Sequence, residues 1–269
     1  MKILLLLFIT AAAALPKAAV GSVHYTTCYS GFNKGGSFQT FSDYVPDLGL
    51  YNFDNTISSA TVTGIWFYYE DEDYNLASSG SVYWLHGFDY FSNFDNSYDD
   101  VFSSLRYGGS PDCLGCDTWT VYQGQYFTGS EFYGTTDSNF FGNLQGQVSA
   151  ILLTGTSAWT FYDGPSYSGR SVCLYPNTVH DVSSSGEVLN LGIYPDVTQV
   201  GMYDNSIQSV RRGCWSDVVF KAPEVHAQGQ AKNGAWGYFR PEAGQEHSAA
   251  GQGHPAAGHS RPAARPQKV

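Results

Sequence analysis

The hexapeptide Asp54-Asn55-Thr56-Ile57-Ser58-Ser59 sets two oxygen-bearing side chains side by side, skips two residues and ends on a pair of hydroxyls. These are hard oxygen ligands, of the kind a calcium ion collects about six to eight at a time from carboxylates, amides, hydroxyls, backbone carbonyls and water. One hexapeptide is too few, so recurrence matters. Asp99-Asp100-Val101-Phe102-Ser103-Ser104 has the same form, and Asp204-Asn205-Ser206-Ile207-Gln208-Ser209 is a third copy with Gln208 at a hydroxyl position. A fourth, Gln145-Gly146-Gln147-Val148-Ser149-Ala150, lacks both acidic positions. The copies start roughly 45 to 60 residues apart, a repeat of supersecondary size. A lone copy would read only as a turn entering a strand.

Residues 1–21 have the form of a secretory signal peptide: Lys2, the apolar run Ile3–Ile9, then small residues, with cleavage expected between Ala14 and Ser22. The run is too short to span a bilayer comfortably and no later segment approaches that length, so the chain is expected to be secreted, with no membrane span. The 20 Tyr, 17 Phe and 30 Gly, with few helix-forming stretches, point to strands and tight turns. From Ser22 to Trp215 there are 20 Asp and Glu against 5 Lys and Arg, a net of −15. Such a surface repels nucleic acid and attracts multivalent cations.

Five cysteines in an oxidising compartment leave one over. Cys113 and Cys116 form a local loop bridge, or one of them pairs with Cys28. Cys173 and Cys214 flank one module and are placed to meet across it. The leftover thiol is either free or a link between two chains.

The segments ahead of the hexapeptides also repeat. Tyr122 to Gly129 and Tyr162 to Gly169 share aromatic, four residues, aromatic, one residue, glycine. Tyr69 to Leu76 repeats the spacing with Leu76 in the glycine's place, which makes that corner strained or differently shaped. Cys28 to Gly36 holds aromatics and glycines but fits the spacing poorly. With these corners, the Val45-Pro46-Asp47-Leu48 segment and the Ile57–Val62 strand, the chain resembles the βγ-crystallins, in a secreted, non-lens form.

The resemblance covers roughly Val23 to Trp215. It implies an all-β protein of two βγ-crystallin-like Greek-key sandwich domains in tandem, residues 23–107 and 118–215, each with two Greek keys. Residues 108–117 read as a linker by composition. Residues 216–269, rich in Ala, Gly, Pro, Gln and His, read as a disordered tail in which His226, His247, His254 and His259 are incidental. The stretch between Tyr74 and Asp99, with Tyr83, Trp84, Tyr90 and Phe91, is an insertion expected to pack on the sandwich rather than stand exposed.

The resemblance further implies calcium shared between paired motifs of the first domain. One site takes Asn55, the Thr56 carbonyl and Ser103. The other takes Asp100, the Val101 carbonyl and Ser58, with Asp54 and Asp99 shaping the loops or acting as outer ligands. In the second domain Asp204, Asn205 and Ser206 are expected to bind weakly or not at all. No G-x-S-x-G or H-E-x-x-H segment is present, and the chain is not expected to be an enzyme. Two readings follow: a secreted calcium-binding structural protein with self-association or matrix partners, or a calcium-dependent recognition module, lectin-like toward a glycan or a partner of a membrane-acting factor.

Overall fold

The computed structural model describes residues 23–221, 228–232 and 235–239. The expected signal peptide lies outside them. In the first domain, β1 (Tyr25–Gly31) and β2 (Gly35–Phe41) form a hairpin, followed by β3 (Ser59–Tyr69), β4 (Val82–Asn93) and β5 (Ser104–Tyr107). The second contains β6 (Thr118–Tyr122), β7 (Glu131–Gly134), β8 (Ala150–Thr154), β9 (Trp159–Gly164), β10 (Ser168–Tyr175), β11 (Asn177–Val182), β12 (Val188–Tyr194) and β13 (Ser209–Arg212).

β3 runs through both halves of one seven-stranded sheet. Its first half, from Ser59 to Thr63, pairs with β1, and its second half, from Trp66 to Tyr69, pairs with β5. β4 follows it along both halves, and the register slips where Gly64 faces Gly87. Both glycines have positive φ, +89° and +146°, so this bulge bends the β3–β4 ribbon between the half that pairs with β1 and the half that pairs with β5. In the second domain β8 and β9 do the same work as separate strands. There Ser138 crosses to bridge Val210 in β13, as Val45 crosses to bridge Leu105 in β5. Each domain is therefore two Greek keys that exchange a segment.

The insertion between Tyr74 and Asp99 is mainly β4. Tyr83 and Trp84 are buried in it, while Tyr90 and Phe91 are half-buried.

All four hairpins fold over through consecutive residues in the left-handed region: Asn33 and Lys34, Asp73 to Asn75, Tyr126 and Phe127, Ser166 and Tyr167. The first corner keeps the spacing after all, running Tyr29, Lys34, Gly36, with a lysine where the second ring belongs. The Lys34 ammonium instead sits 5.0 Å from the centre of the Phe91 ring. The second corner is differently shaped: Asn75 takes the left-handed position and Leu76 stays right-handed at φ −58°.

A buried serine at the end of a hexapeptide locks three of these corners. The Ser59 hydroxyl donates to the Gly31 carbonyl and accepts from the Lys34 N–H. Ser104 does so with Asp71 and Tyr74, and Ser209 with Gly164 and Tyr167. Ala150 has no hydroxyl, and its corner carries a Gly124 N–H to Thr128 carbonyl bond at 3.0 Å.

Each sandwich has its own core, and a third core lies between the domains. Ile65, Phe67, Tyr69 and Trp84 of the first domain meet Tyr122, Phe127, Leu152 and Leu191 of the second. Arg106 is buried in this seam. Its Nε donates to Tyr69 Oη (3.0 Å), Nη1 to the Gly129 carbonyl (2.8 Å) and Nη2 to the Phe127 carbonyl (2.7 Å). Glu131 pairs with its Nε at 3.5 Å and accepts a hydrogen bond from the Tyr44 hydroxyl. Burial pushes the Glu131 carboxyl up, opposed by Arg106 and Tyr44.

The connection between the domains is packed rather than loose. Leu114 is buried in the seam, and Cys113 bonds to Cys116 around it. At Gly108 a Cβ would stand 2.4 Å from a Leu152 methyl and 3.0 Å from the Phe67 ring, so any larger residue has to displace side chains packed in the seam. Cys173 bonds to Cys214, and Cys28 is free. Full burial pushes the Cys28 thiol up to about 12 and removes it as a link between chains.

Part of the expected tail is folded. β14 (Val219–Lys221) runs parallel beside β10, and β15 (Gln228–Lys232) and β16 (Ala235–Phe239) form a hairpin with β15 along β4. Residues 240–269 lie outside the described residues.

Two predictions follow from the seam. Arg106→Met leaves Glu131 buried and unpaired, and is expected to lower urea-unfolding stability by about 3–5 kcal/mol; Arg106→Met with Glu131→Leu recovers most of the loss. His24, stacked on Tyr107 at 4.4 Å with its Nε2 on the Ser110 carbonyl, is held neutral by burial, its pKa lowered from 6.5 to about 4. The unfolded chain thus takes up this proton first, so stability present above about pH 6.5 is lost as pH falls toward 4, by roughly 3 kcal/mol. The urea midpoint is expected to drop between pH 7 and pH 4.5, and less so in His24→Gln.

Candidate functional site

The four hexapeptides share one geometry. Their second residues, Asn55, Asp100, Gly146 and Asn205, all have φ between +50° and +66°. This conformation suits Gly, Asn and Asp, which accounts for the residue types found there. Their fourth residues, Ile57, Phe102, Val148 and Ile207, are fully buried plugs.

The loops pair crosswise within each domain. The Asn55 N–H donates to the Phe102 carbonyl (2.9 Å) and the Asp100 N–H to the Ile57 carbonyl (3.2 Å). Gly146 to Ile207 (3.3 Å) and Asn205 to Val148 (3.2 Å) repeat the exchange in the second domain.

In the first domain this brings together one expected set directly: the Ser58 hydroxyl donates to Asp100 Oδ1 at 3.4 Å. The other set is joined through backbone, since the Asn55–Phe102 bond lies one residue from Ser103. Asn55 Nδ2 is also bonded to Asp54 Oδ2 (3.0 Å). Thr56 turns its hydroxyl back to the Phe53 carbonyl, as Ser206 does to Tyr203. Ser58 and Ser103 are nearly buried, and Asp99 Oδ1 is buried with no hydrogen-bond partner. A buried carboxylate oxygen left without a donor is costly unless a cation satisfies it. Beside Ser103 a groove of about 440 Å³ is lined by Asp71, Glu72 and Asp73. These carboxylates raise the local concentration of cations.

The second domain has the same loops with different chemistry. Gly146 brings no side chain, and Gln208 Nε2 donates to the Asp163 carbonyl (2.9 Å). Gln145 spans from the Phe141 N–H to the Gln208 carbonyl. Amide donors occupy one half of the pair. The other half keeps Asn205, the Ser206 carbonyl and the buried Ser149, a hydroxyl that sequence reasoning passed over because it discounted the fourth hexapeptide as a whole. Matching the loops crosswise, position by position, would have found it. Among the described residues no group of three or more His, Cys, Asp or Glu side chains could hold a metal ion, so any cation here depends on hydroxyls, amides and carbonyls as well.

The same arrangement of crossed Greek keys occurs in geodin, a βγ-crystallin from Geodia cydonium, which matches 71% of this chain over 99% of its own length, with 21% identity and a TM-score of 0.51. The chain has the βγ-crystallin fold. Two further βγ-crystallins are similar to shorter parts of it. One from an archaeon matches 36% of the chain and 99% of itself (29% identity, TM-score 0.30). The other, from Ciona intestinalis, matches 35% and 98% (21% identity, TM-score 0.28). No protein-family model and no curated protein matches the sequence.

The left-handed second position of this βγ-crystallin fold is testable apart from any ligand. Asp100→Gly is expected to leave urea-unfolding stability within about 0.5 kcal/mol of the parent, whereas Asp100→Val, which carries a branched Cβ into positive φ, should cost about 1–2 kcal/mol.

Proposed function

We propose that this is a secreted calcium-binding structural protein, in which two calcium ions are held between the crossed hexapeptides of the first domain. The observation that carries the reading is the Ser58–Asp100 contact where the two loops exchange backbone bonds, and it is supported by the buried, partnerless Asp99 Oδ1 in the same loop. Asn55, the Thr56 carbonyl and Ser103 supply the first site; Asp100, the Val101 carbonyl and Ser58 supply the second; Asp54 and Asp99 complete the loops. Bound calcium supplies charge compensation for the acidic loops and ties one Greek key to the other. In the second domain only the half-site of Asn205, Ser206 and Ser149, with Asp204 beside it, remains.

Two disulfides support an oxidising, extracellular location. No helix among the described residues is long and apolar enough to cross a membrane. The role proposed is mechanical rather than catalytic: calcium stiffens a module whose partners are matrix components or further copies of itself.

Calorimetric titration of the full chain is expected to show two binding events with dissociation constants on the order of 10⁻⁴ to 10⁻³ M. At a hundredfold excess over that constant, calcium should add about 2.7 kcal/mol per site to stability. Ser58→Arg with Ser103→Arg should abolish both the heat and the rise in melting temperature. Neither heat nor a melting shift in the parent chain would reduce the hexapeptides to folding turns.

A further inference from the structure

Where the two domains meet, the turn Ser78-Ser79-Gly80 of the first faces the corner Gly124–Thr128 of the second across a groove of about 450 Å³. This falls within the range of small-molecule sites, about 300–1,000 Å³. Ser149 and Asp204 of the second domain complete its lining. The groove exists only because the domains pack, and it belongs to neither sandwich alone.

The chemistry of its walls narrows the ligand. No lysine or arginine lines it and Asp204 is acidic, so phosphates, nucleotides and other anions are repelled. Val82 is its one aliphatic side chain, too little apolar surface for a lipid. What remains is hydroxyls, the Gln125 amide, one carboxylate and the ring of Tyr126. A ring with a C–H face and a rim of hydroxyls matches that set, with hydrogen bonds at its edge and an apolar contact at its face.

Both walls are already fixed. Tyr126 sits at φ +57°, and its N–H donates to the Pro195 carbonyl at 2.8 Å. The Gly129 N–H reaches across to the Tyr74 carbonyl at 2.9 Å, and the turn opposite is tied by Asn75 Nδ2 to the Gly80 and Ser81 carbonyls. A ligand entering this groove therefore has little protein ordering to offset.

We propose that the interdomain groove binds a neutral saccharide, its C–H face against Tyr126 and its hydroxyls on Gln125 and Asp204. This site does not require the calcium sites of the first domain. Nor does it use the aromatic insertion, whose Tyr83 and Trp84 are buried.

The test is saturation-transfer difference NMR on the full chain in chelator-containing buffer, so that it stands whether or not calcium binds. The probes are the methyl glycosides of galactose, mannose and N-acetylglucosamine, with glucose 6-phosphate as the anionic counterpart. Transfer to the ring C–H protons of at least one neutral glycoside, and none to the phosphate, is expected. Ser79→Arg, which sends a guanidinium from an exposed turn across the groove, should remove the signal with the melting temperature unchanged. Gln125→Ala, which deletes one hydrogen-bonding group, should weaken binding about tenfold. Silence from all three neutral glycosides, transfer that survives Ser79→Arg, or a response to the phosphate alone overturns the proposal.

Discussion

Arg106 is a buried charge, 1% exposed, and the relative placement of the two domains depends on how that charge is satisfied. Burying a guanidinium is expensive unless its donors are all engaged. Here two of its three nitrogens reach carbonyls of the second domain's first corner, and the third reaches Tyr69 and Glu131. The rings of Tyr74 and Tyr122 lie 4.6 and 5.0 Å from it and add cation–π attraction. Partners come from both domains, so sliding one sandwich over the other would strand the charge. The apolar seam supplies the area, and Arg106 supplies the register. Gly108, the interdomain groove and the packed connection all follow from that fixed geometry.

The hexapeptides show how one loop shape serves two ends. Its architectural requirements are a left-handed second residue, an apolar plug at the fourth position and, at three of four corners, a serine at the sixth. All four loops meet the first two, including the one without an acidic residue, so the shape does not depend on a cation. What differs is the side chain at the first, second and fifth positions. In the first domain these are carboxylates, an amide and serines, of which Ser58 and Asp100 meet directly. In one half of the second they are glycine and glutamine, and the glutamines hydrogen-bond to backbone. A cation site is thus an addition to a loop that the fold already needs, and its loss leaves the loop standing.

That separation explains what was legible in the sequence. The hexapeptides and three of the four aromatic corners have fixed internal spacing, and each residue type answers to a local backbone demand, so the fold could be reached through the family resemblance that this spacing carries. Lys34 hid the first corner because a cation on Phe91 replaced the expected ring while the backbone stayed the same. The union of two strands in β3 was hidden because the bend lies in a glycine pair, Gly64 and Gly87, far apart in sequence. Arg106 and Glu131 could not be paired by reading along the chain, for their meeting is a product of domain packing. Ser149 was visible, but only to a reading that crosses from one loop to its partner.

The short strands at the start of the segment after Trp215 were not legible for a different physical reason. Composition measures what side chains can bury, and this segment has little to bury. Joining the edge of an existing sheet asks for less: backbone donors and acceptors, and a starting point that lowers the entropy of docking. The Cys173–Cys214 bridge supplies the starting point. Just beyond it the Ser216 hydroxyl donates to the Ser171 carbonyl and the Cys173 N–H to the Val218 carbonyl, and β14 continues opposite Cys173 to Tyr175. β15 then lies along Val82 to Leu85 of β4, in the other domain. Consecutive strands of one low-complexity segment therefore cover an edge in each domain, and the first is anchored by a bond that forms under oxidising conditions. Burial built the cores, and a disulfide, backbone pairing and the packing of Phe220 against the second core carry the chain past them.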